Sequence, residues 1–166
     1  MIFRERALAE PDREFEALTD INTAFLKLNG IKAVALDLDN TCVYYGSFKP
    51  EEGTKEWIDS VKEAGIDVII LSNTVLSRGF VLSRILGGLP FVAPALKPFT
   101  FGMKLAAKYL GIKCDEMLVV GDKLSTDIAV ANKTGAMSAK VKPLTERKRE
   151  IRKTRVMPER LATGNE

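Results

Sequence analysis

Residues 31–41, Ile-Lys-Ala-Val-Ala-Leu-Asp-Leu-Asp-Asn-Thr, constrain this chain more than any other segment. A largely apolar run that includes β-branched Ile31 and Val34 stops abruptly at two carboxylates, Asp37 and Asp39, with Thr41 just beyond. That pattern predicts a buried strand feeding a charged site at its carboxyl end. In an extended chain Asp37 and Asp39 point the same way, toward the crevice where open α/β sheets bind ligands. Two crowded carboxylates repel unless a metal neutralises one or one keeps a proton. The alternative is a strand end whose acids simply face water.

Composition narrows the chemistry. The 166 residues are 46% hydrophobic, which suits one globular domain with a real core. No run approaches the ~18 apolar residues of a membrane span. The beginning, Met-Ile-Phe-Arg-Glu-Arg, carries charge early and has no long apolar stretch before Pro11, so a cytoplasmic protein without a signal peptide is expected. There is no histidine, which removes Ser-His-Asp hydrolysis, His-based phosphate chemistry and most catalytic zinc sites. Cys42 and Cys114 form no C-x-x-C pair, and neither is followed six positions on by the Arg that a Cys-dependent phosphatase needs: Phe48 and Val120 stand there instead. Asp, Ser, Thr and Lys remain as nucleophiles.

Strand and helix signals alternate along the chain. The spacing of Phe15, Leu18, Ile21, Phe25 and Leu28 predicts an amphipathic helix from Asp12 to Asn29, stopped by Gly30. Strands are expected near Lys32–Asp37, Ile66–Leu71, Phe91–Ala93, Met117–Val120 and Met137–Val141. Helices are expected at Glu52–Ala64, Val75–Leu86, Thr100–Leu110 and Ser125–Lys133. The alternation favours a parallel, doubly wound sheet of about five strands in a Rossmann-like α/β fold. The whole chain, 1–166, is divided into an N-terminal helical extension (1–30), a catalytic core (31–142) and a basic tail (143–166).

The punctuation of the strands carries the function. They end in Asp37 and Asp39, in Ser72 and Asn73, at Lys97, and in Asp122 with Asp127 five residues on. Acids, a hydroxyl, an ammonium and more acids at one sheet edge suit phosphoryl transfer assisted by magnesium.

With those residues in view, the chain resembles a phosphatase of the haloacid dehalogenase (HAD) superfamily, subfamily III. The matching motifs are Asp37-Leu38-Asp39-Asn40-Thr41, Leu71-Ser72-Asn73, Lys97-Pro98 and Gly121-Asp122-Lys123-Leu124-Ser125-Thr126-Asp127. The resemblance implies a three-layer HAD-like fold and assigns roles by position. Asp37 is the implied nucleophile, forming an aspartyl phosphate, and Asp39 the general acid and base. Thr41 would shape the loop, Ser72 and Lys97 would bind the phosphoryl group, and Asn73 would assist. Mg2+ would take the Asp37 carboxylate, the Asp39 backbone carbonyl and the Asp122 carboxylate, with Asp127 in or just beyond its shell. Lys123 departs from the pattern, and its ammonium is expected to point outward.

Only 34 residues lie between Asp37 and Ser72, and 24 between Ser72 and Lys97, so no cap domain fits at either place. Within subfamily IIIA this resembles the capless branch that includes phosphatidylglycerophosphate phosphatases, and an uncapped site admits a bulky phosphate such as a lipid head group. Val43 to Phe48 is either a small flap over the mouth or packing. Residues 140–160 hold nine Lys and Arg (Lys140, Lys142, Arg147, Lys148, Arg149, Arg152, Lys153, Arg155 and Arg160) against three acids, net +6. Such a tail suits an anionic membrane surface, nucleic acid or an acidic partner, or is a solvated basic helix. The expected function is a magnesium-dependent phosphomonoester hydrolase. The alternative is a nucleic-acid or ribosome-associated protein that uses the tail and hydrolyses weakly.

Overall fold

A computed structural model describes residues 9–148 and 150. Six strands form one sheet: β1 (Arg13–Phe15), β2 (Ala33–Leu36), β3 (Asp67–Leu71), β4 (Phe91–Val92), β5 (Met117–Gly121) and β6 (Met137–Val141). Their spatial order is β1-β6-β5-β2-β3-β4, and every pair is parallel. Five helices connect them: α1 (Thr23–Leu28), α2 (Thr54–Glu63), α3 (Leu76–Ile85), α4 (Phe101–Leu110) and α5 (Ala129–Thr134).

The central strands are apolar throughout because both faces are covered. Val34 and Leu36 of β2, with Val68, Ile70, Leu118 and Val120, pack against Trp57, Ile58 and Val61 of α2 and Leu82 of α3. The intervening Ala33 and Ala35, with Ile69, Leu71 and Val119, meet Met103, Ala106 and Ala107 of α4 and Val130 and Ala131 of α5. The result is a three-layer α/β sandwich. From β2 the chain winds outward through β3 to β4, then crosses back to β5 on the other side of β2. The connections therefore diverge between β2 and β5, and a ligand crevice is expected at the carboxyl ends of those two strands.

The N-terminal region departs from the expected single helix. Residues 12–29 divide into β1, a short turn of helix at Leu18–Asp20, and α1. Leu18, Ile21 and Leu26 are buried, but Leu28 is 87% exposed. The helical spacing of apolar residues is real, yet an open sheet edge outcompetes it. Asp12 makes the docking specific: its amide donates to Ser138 Oγ, and its carboxylate accepts from the Ser138 amide, each at 2.9 Å. The sheet thus gains a sixth strand beyond the five expected. In the last helical region a π-type turn, Leu124–Ile128, precedes α5 where a regular helix is expected from Ser125. Residues 1–8 of the N-terminal extension lie outside the described residues, as do 149 and 151–166 of the basic tail.

Replacing Asp12 by Ala should lower stability by about 1 to 2 kcal/mol, because it leaves the Ser138 amide at a strand edge without its acceptor. Chemical denaturation measures this, and an unchanged midpoint would show that β1 is not held through Asp12.

Candidate active site

The carboxyl ends of β2, β3 and β5 and the β4–α4 loop bring the charged punctuation together. Asp37 follows β2 directly, and its amide still donates to Val120 O of β5 at 3.0 Å. Ser72 follows β3, Asp122 follows β5, and Lys97 lies beyond β4 after Leu96, which adopts a left-handed φ of 56°. That conformation is costly for a side chain with a Cβ and persists only where its surroundings enforce it.

Lys97 is the hub. It is buried, and its ammonium donates to Asp37 Oδ1 at 3.0 Å, Asp127 Oδ1 at 2.5 Å and the Leu71 carbonyl at 2.6 Å. Burial alone would lower its proton affinity. The facing Asp37 and Asp127 carboxylates outweigh that and raise it, so the cation is fixed. Asn73 holds Lys97 from behind: its Oδ1 accepts the Lys97 amide and its Nδ2 donates to the Lys97 carbonyl, both at 2.8 Å.

Asp37, Asp122 and Asp127 are all buried, and each offers an oxygen within 4.8 Å of the others. Three carboxylates share one ammonium, and the excess negative charge shows in the proton affinities of Asp122 and Asp127. Desolvation and the charges of Asp37 and Asp127 push Asp122 from 3.8 up to about 7. Desolvation and Asp37 push Asp127 up to about 6, against the opposing pull of Lys97. A hard divalent cation bound through oxygen would relieve this strain, so the residues present fit magnesium. Thr41 Oγ1 donates to Asp37 Oδ2 at 3.0 Å and lies 3.4 Å from Asp122 Oδ1, bracing both.

Gly121 makes the cluster possible. A Cβ there would sit 2.1 Å from Asp127 Cγ. The π-type turn carries Asp127 back over this bare backbone, where its Oδ2 accepts the Lys123 amide at 3.2 Å. Lys123 itself is exposed, as expected.

The Asp39 carboxylate lies elsewhere. The paired part of β2 ends at Leu36, and just after Asp39 the chain turns left-handed at Asn40, φ 63°. Asp39 instead forms a forked ion pair with Arg78 of α3, Oδ2 to Nη1 at 2.6 Å and Oδ1 to Nη2 at 2.7 Å, and also accepts the Gly46 amide at 3.1 Å. Sequence reasoning missed Arg78, although its place one helical turn after Thr74 was a usable signal: Arg78 Nη1 lies 3.1 Å from Thr74 Oγ1. Ser72 is buried, and its Oγ accepts the Thr74 amide at 3.2 Å, leaving its own hydrogen for an incoming oxygen. Cys42 is fully buried, with burial and Asp37 raising its thiol, and Cys114 is also unpaired; neither approaches a reactive thiolate.

Comparison with known proteins agrees with this geometry. The family described as mitochondrial PGP phosphatase matches residues 1–79, and the family described as HAD-hydrolase-like matches residues 95–163. The "Probable phosphatase YqeG" of Bacillus subtilis (strain 168) is 32% identical over 134 residues, covering 81% of this chain and 77% of that protein. The chain belongs to the HAD superfamily of phosphatases. The fold of this HAD phosphatase is also that of an uncharacterized protein from Listeria monocytogenes serotype 4b, with a TM-score of 0.54 and 22% identity over 65% of this chain and 76% of that one. It is shared as well by the core domain of a Streptococcus pneumoniae TIGR4 protein whose name assigns it provisionally to the phosphoglycolate phosphatases, with a TM-score of 0.52 and 18% identity over 74% of this chain and 96% of that one. Like the capless members of the superfamily, it has single helices where caps would be inserted: α2 and its loops between Asp37 and Ser72, α3 and β4 between Ser72 and Lys97.

Asp122 and Asp127 hold protons more tightly folded than unfolded, so their contribution to stability is present below the unfolded value of 3.8 and lost as pH rises through about 6 and about 7. Ion-free protein should therefore lose thermal stability across that window. Magnesium at a hundred times its dissociation constant should raise Tm by roughly 5 to 10 °C at about pH 8, and by less at about pH 5 where protons compete. Scanning calorimetry with and without the ion tests this, and a shift independent of pH would place the ion away from these carboxylates.

Proposed function

We propose that this HAD phosphatase hydrolyses phosphomonoesters with magnesium through an aspartyl phosphate on Asp37, and that its substrates are bulky, with a phosphorylated lipid such as phosphatidylglycerophosphate as the leading class. The observation that carries the reading is the buried Lys97 ammonium between Asp37 and Asp127, with Asp122 alongside, at the crevice between β2 and β5.

The steps follow from the residues. A phosphomonoester enters at the sheet edge, where Lys97 and the Ser72 hydroxyl offer donors to its oxygens. An Asp37 carboxylate oxygen attacks phosphorus, the ester bond to the alcohol breaks, and Asp39 delivers a proton to the departing oxygen. Water then attacks the aspartyl phosphate as Asp39 takes back its proton, regenerating Asp37 and releasing inorganic phosphate. The Asp37 and Asp122 carboxylates and the Asp39 carbonyl would hold magnesium, with Asp127 in or just beyond its shell, and the ion would supply positive charge to the phosphoryl oxygens. Asn73 acts by fixing the Lys97 backbone.

Replacing Asp37 by Asn should lower turnover of an aryl phosphate by a factor on the order of a thousand or more, because an amide cannot be phosphorylated in this way. The same variant should trap no labelled phosphate after an acid quench, whereas the parent protein does. Undiminished activity in that variant would overturn the mechanism.

The substrate class rests on the surroundings. Tyr45, Phe48, Val75, Leu76, Leu96 and Phe99 are all exposed and flank the three segments that carry Asp39, Ser72 and Lys97. Apolar side chains around an uncapped polar site suit a head group presented at a lipid surface. Among the described residues, no helix is long and apolar enough to cross a membrane. Replacing Tyr45 and Phe99 together by Ser should cut hydrolysis of a phosphorylated lipid in vesicles by about tenfold while sparing a soluble aryl phosphate. Equal effects on both would remove the lipid reading. Most of the basic tail lies outside the described residues, so its part is tested separately: ending the chain after residue 150 should weaken vesicle binding, and selective loss of RNA binding would favour the nucleic-acid alternative instead.

A further inference from the structure

The Asp39–Arg78 pair conflicts with the chemistry asked of Asp39. Both Asp39 oxygens are engaged by the Arg78 fork, and one also accepts the Gly46 amide. A carboxylate spent in this way cannot carry a proton to a leaving alcohol, so Asp39 must leave Arg78 before it can act.

Arg78 is built to receive something in exchange. Its side chain is only 13% exposed, and the Phe48 ring lies 5.7 Å from its guanidinium carbon, restricting the fork's plane. Nη2 donates to the Ser47 carbonyl at 2.6 Å and Nη1 reaches Thr74 Oγ1, contacts that do not depend on Asp39. Nε is buried without an acceptor. If Asp39 swings away, a nearly buried guanidinium loses its only carboxylate among the described residues, while its other anchors still hold it at the mouth of the site. Leaving such a charge unpaired is costly, and the groups that match a planar fork are phosphate and carboxylate.

We propose that Arg78 is a receptor for a second anionic group on the substrate. That group displaces Asp39 from the fork and releases it to act as acid and base. The inference rests on the phosphatase reading above and narrows its substrates to phosphomonoesters that bear another phosphate, phosphodiester or carboxylate. Asp39 is two residues from the nucleophile, so their Cα atoms are at most roughly 7 Å apart, and a three-carbon spacer is the first length to test. The ligand shifts the equilibrium between latched and released Asp39 because it binds only the released state. Arg78 is thus a specificity and positioning residue, and Asp39 remains the group that handles the proton.

The test compares propyl phosphate with propanediol bisphosphate, which differs only by a second phosphate at the far end. The parent protein should favour the bisphosphate in kcat/KM by about ten- to a hundredfold. Arg78→Ala should abolish that preference, with kcat on propyl phosphate rising because Asp39 is no longer latched. Arg78→Lys, which restores charge without the fork, should recover only part of the preference. Calorimetric binding of both compounds to Asp37→Asn protein provides a readout independent of turnover. Tighter binding of the bisphosphate that Arg78→Ala removes would support the receptor even if the aspartyl-phosphate mechanism failed. Hydrolysis or binding without preference in the parent protein, or an equal loss on both substrates in Arg78→Ala and Arg78→Lys, would overturn the inference and leave the phosphatase reading standing.

Discussion

A buried ammonium holds this site together. Lys97 is one of few charged side chains taken into the interior, and it is kept there by two carboxylates and a strand carbonyl. Desolvating a lysine is expensive, and a good ion pair with fully used donors is what makes it tolerable. The neighbouring architecture follows from that requirement. Asn73 clamps the Lys97 backbone, Leu96 accepts a left-handed φ just before it, and Gly121 gives up its side chain so that Asp127 can reach the ammonium. Gly102 serves the same end one step further out, since a Cβ there would come within 2.6 Å of the Ala95 carbonyl and push α4 off the segment that delivers Lys97.

The same cluster explains why the fold tolerates an unstable arrangement of charge. Lys97 neutralises part of the field of Asp37 and Asp127, but buried Asp122 faces the remainder, with Thr41 Oγ1 3.4 Å from its Oδ1. The packing does not depend on this corner: the strands that carry these residues are covered on both faces by apolar layers. Local destabilisation at a site supported by a rigid scaffold is how a protein keeps groups ready to bind a ligand.

Much of this was legible in the sequence because the determinants are local. Buried strands show as unbroken apolar runs, and the residues that end them mark the functional edge, so Asp37, Ser72, Lys97 and Asp122 could be placed at one side before any coordinates. What escaped depends on tertiary competition. Phe15, Leu18, Ile21 and Phe25 have helical spacing, but an unpaired edge at β6 and the reciprocal hydrogen bonds of Asp12 and Ser138 draw the first of them into a strand. Asp39 follows period-2 alternation on paper, whereas in the fold it lies beyond the last ladder residue of β2 and its carboxylate is drawn to Arg78. Arg78 shows in the sequence only through its place one helical turn after Thr74, and its pairing with Asp39 across the loop after β2 is what gives it a role.

That loop is where several parts of the molecule meet. From one side, Arg78 grips Asp39 and the Ser47 carbonyl. From the other, the segment after β6 packs against it: the Leu144 amide donates to Asn40 O at 3.0 Å, Arg147 forks onto Glu51 at 2.5 and 2.7 Å, and Lys148 lies 4.2 Å from the Tyr44 ring centroid. Part of the basic C-terminal charge is therefore committed within the chain rather than offered to a partner. A loop held between two guanidinium groups, with Asp39 near its start and exposed Tyr45 and Phe48 near its tip, moves only if one of those grips is released. The C-terminal grip also seats buried Leu144, so releasing it would expose apolar surface, whereas the Arg78 grip can exchange one anion for another with little change in charge. The physical asymmetry makes the Arg78 side the one that can open during a catalytic cycle, and makes the docked C-terminal segment the support against which it opens.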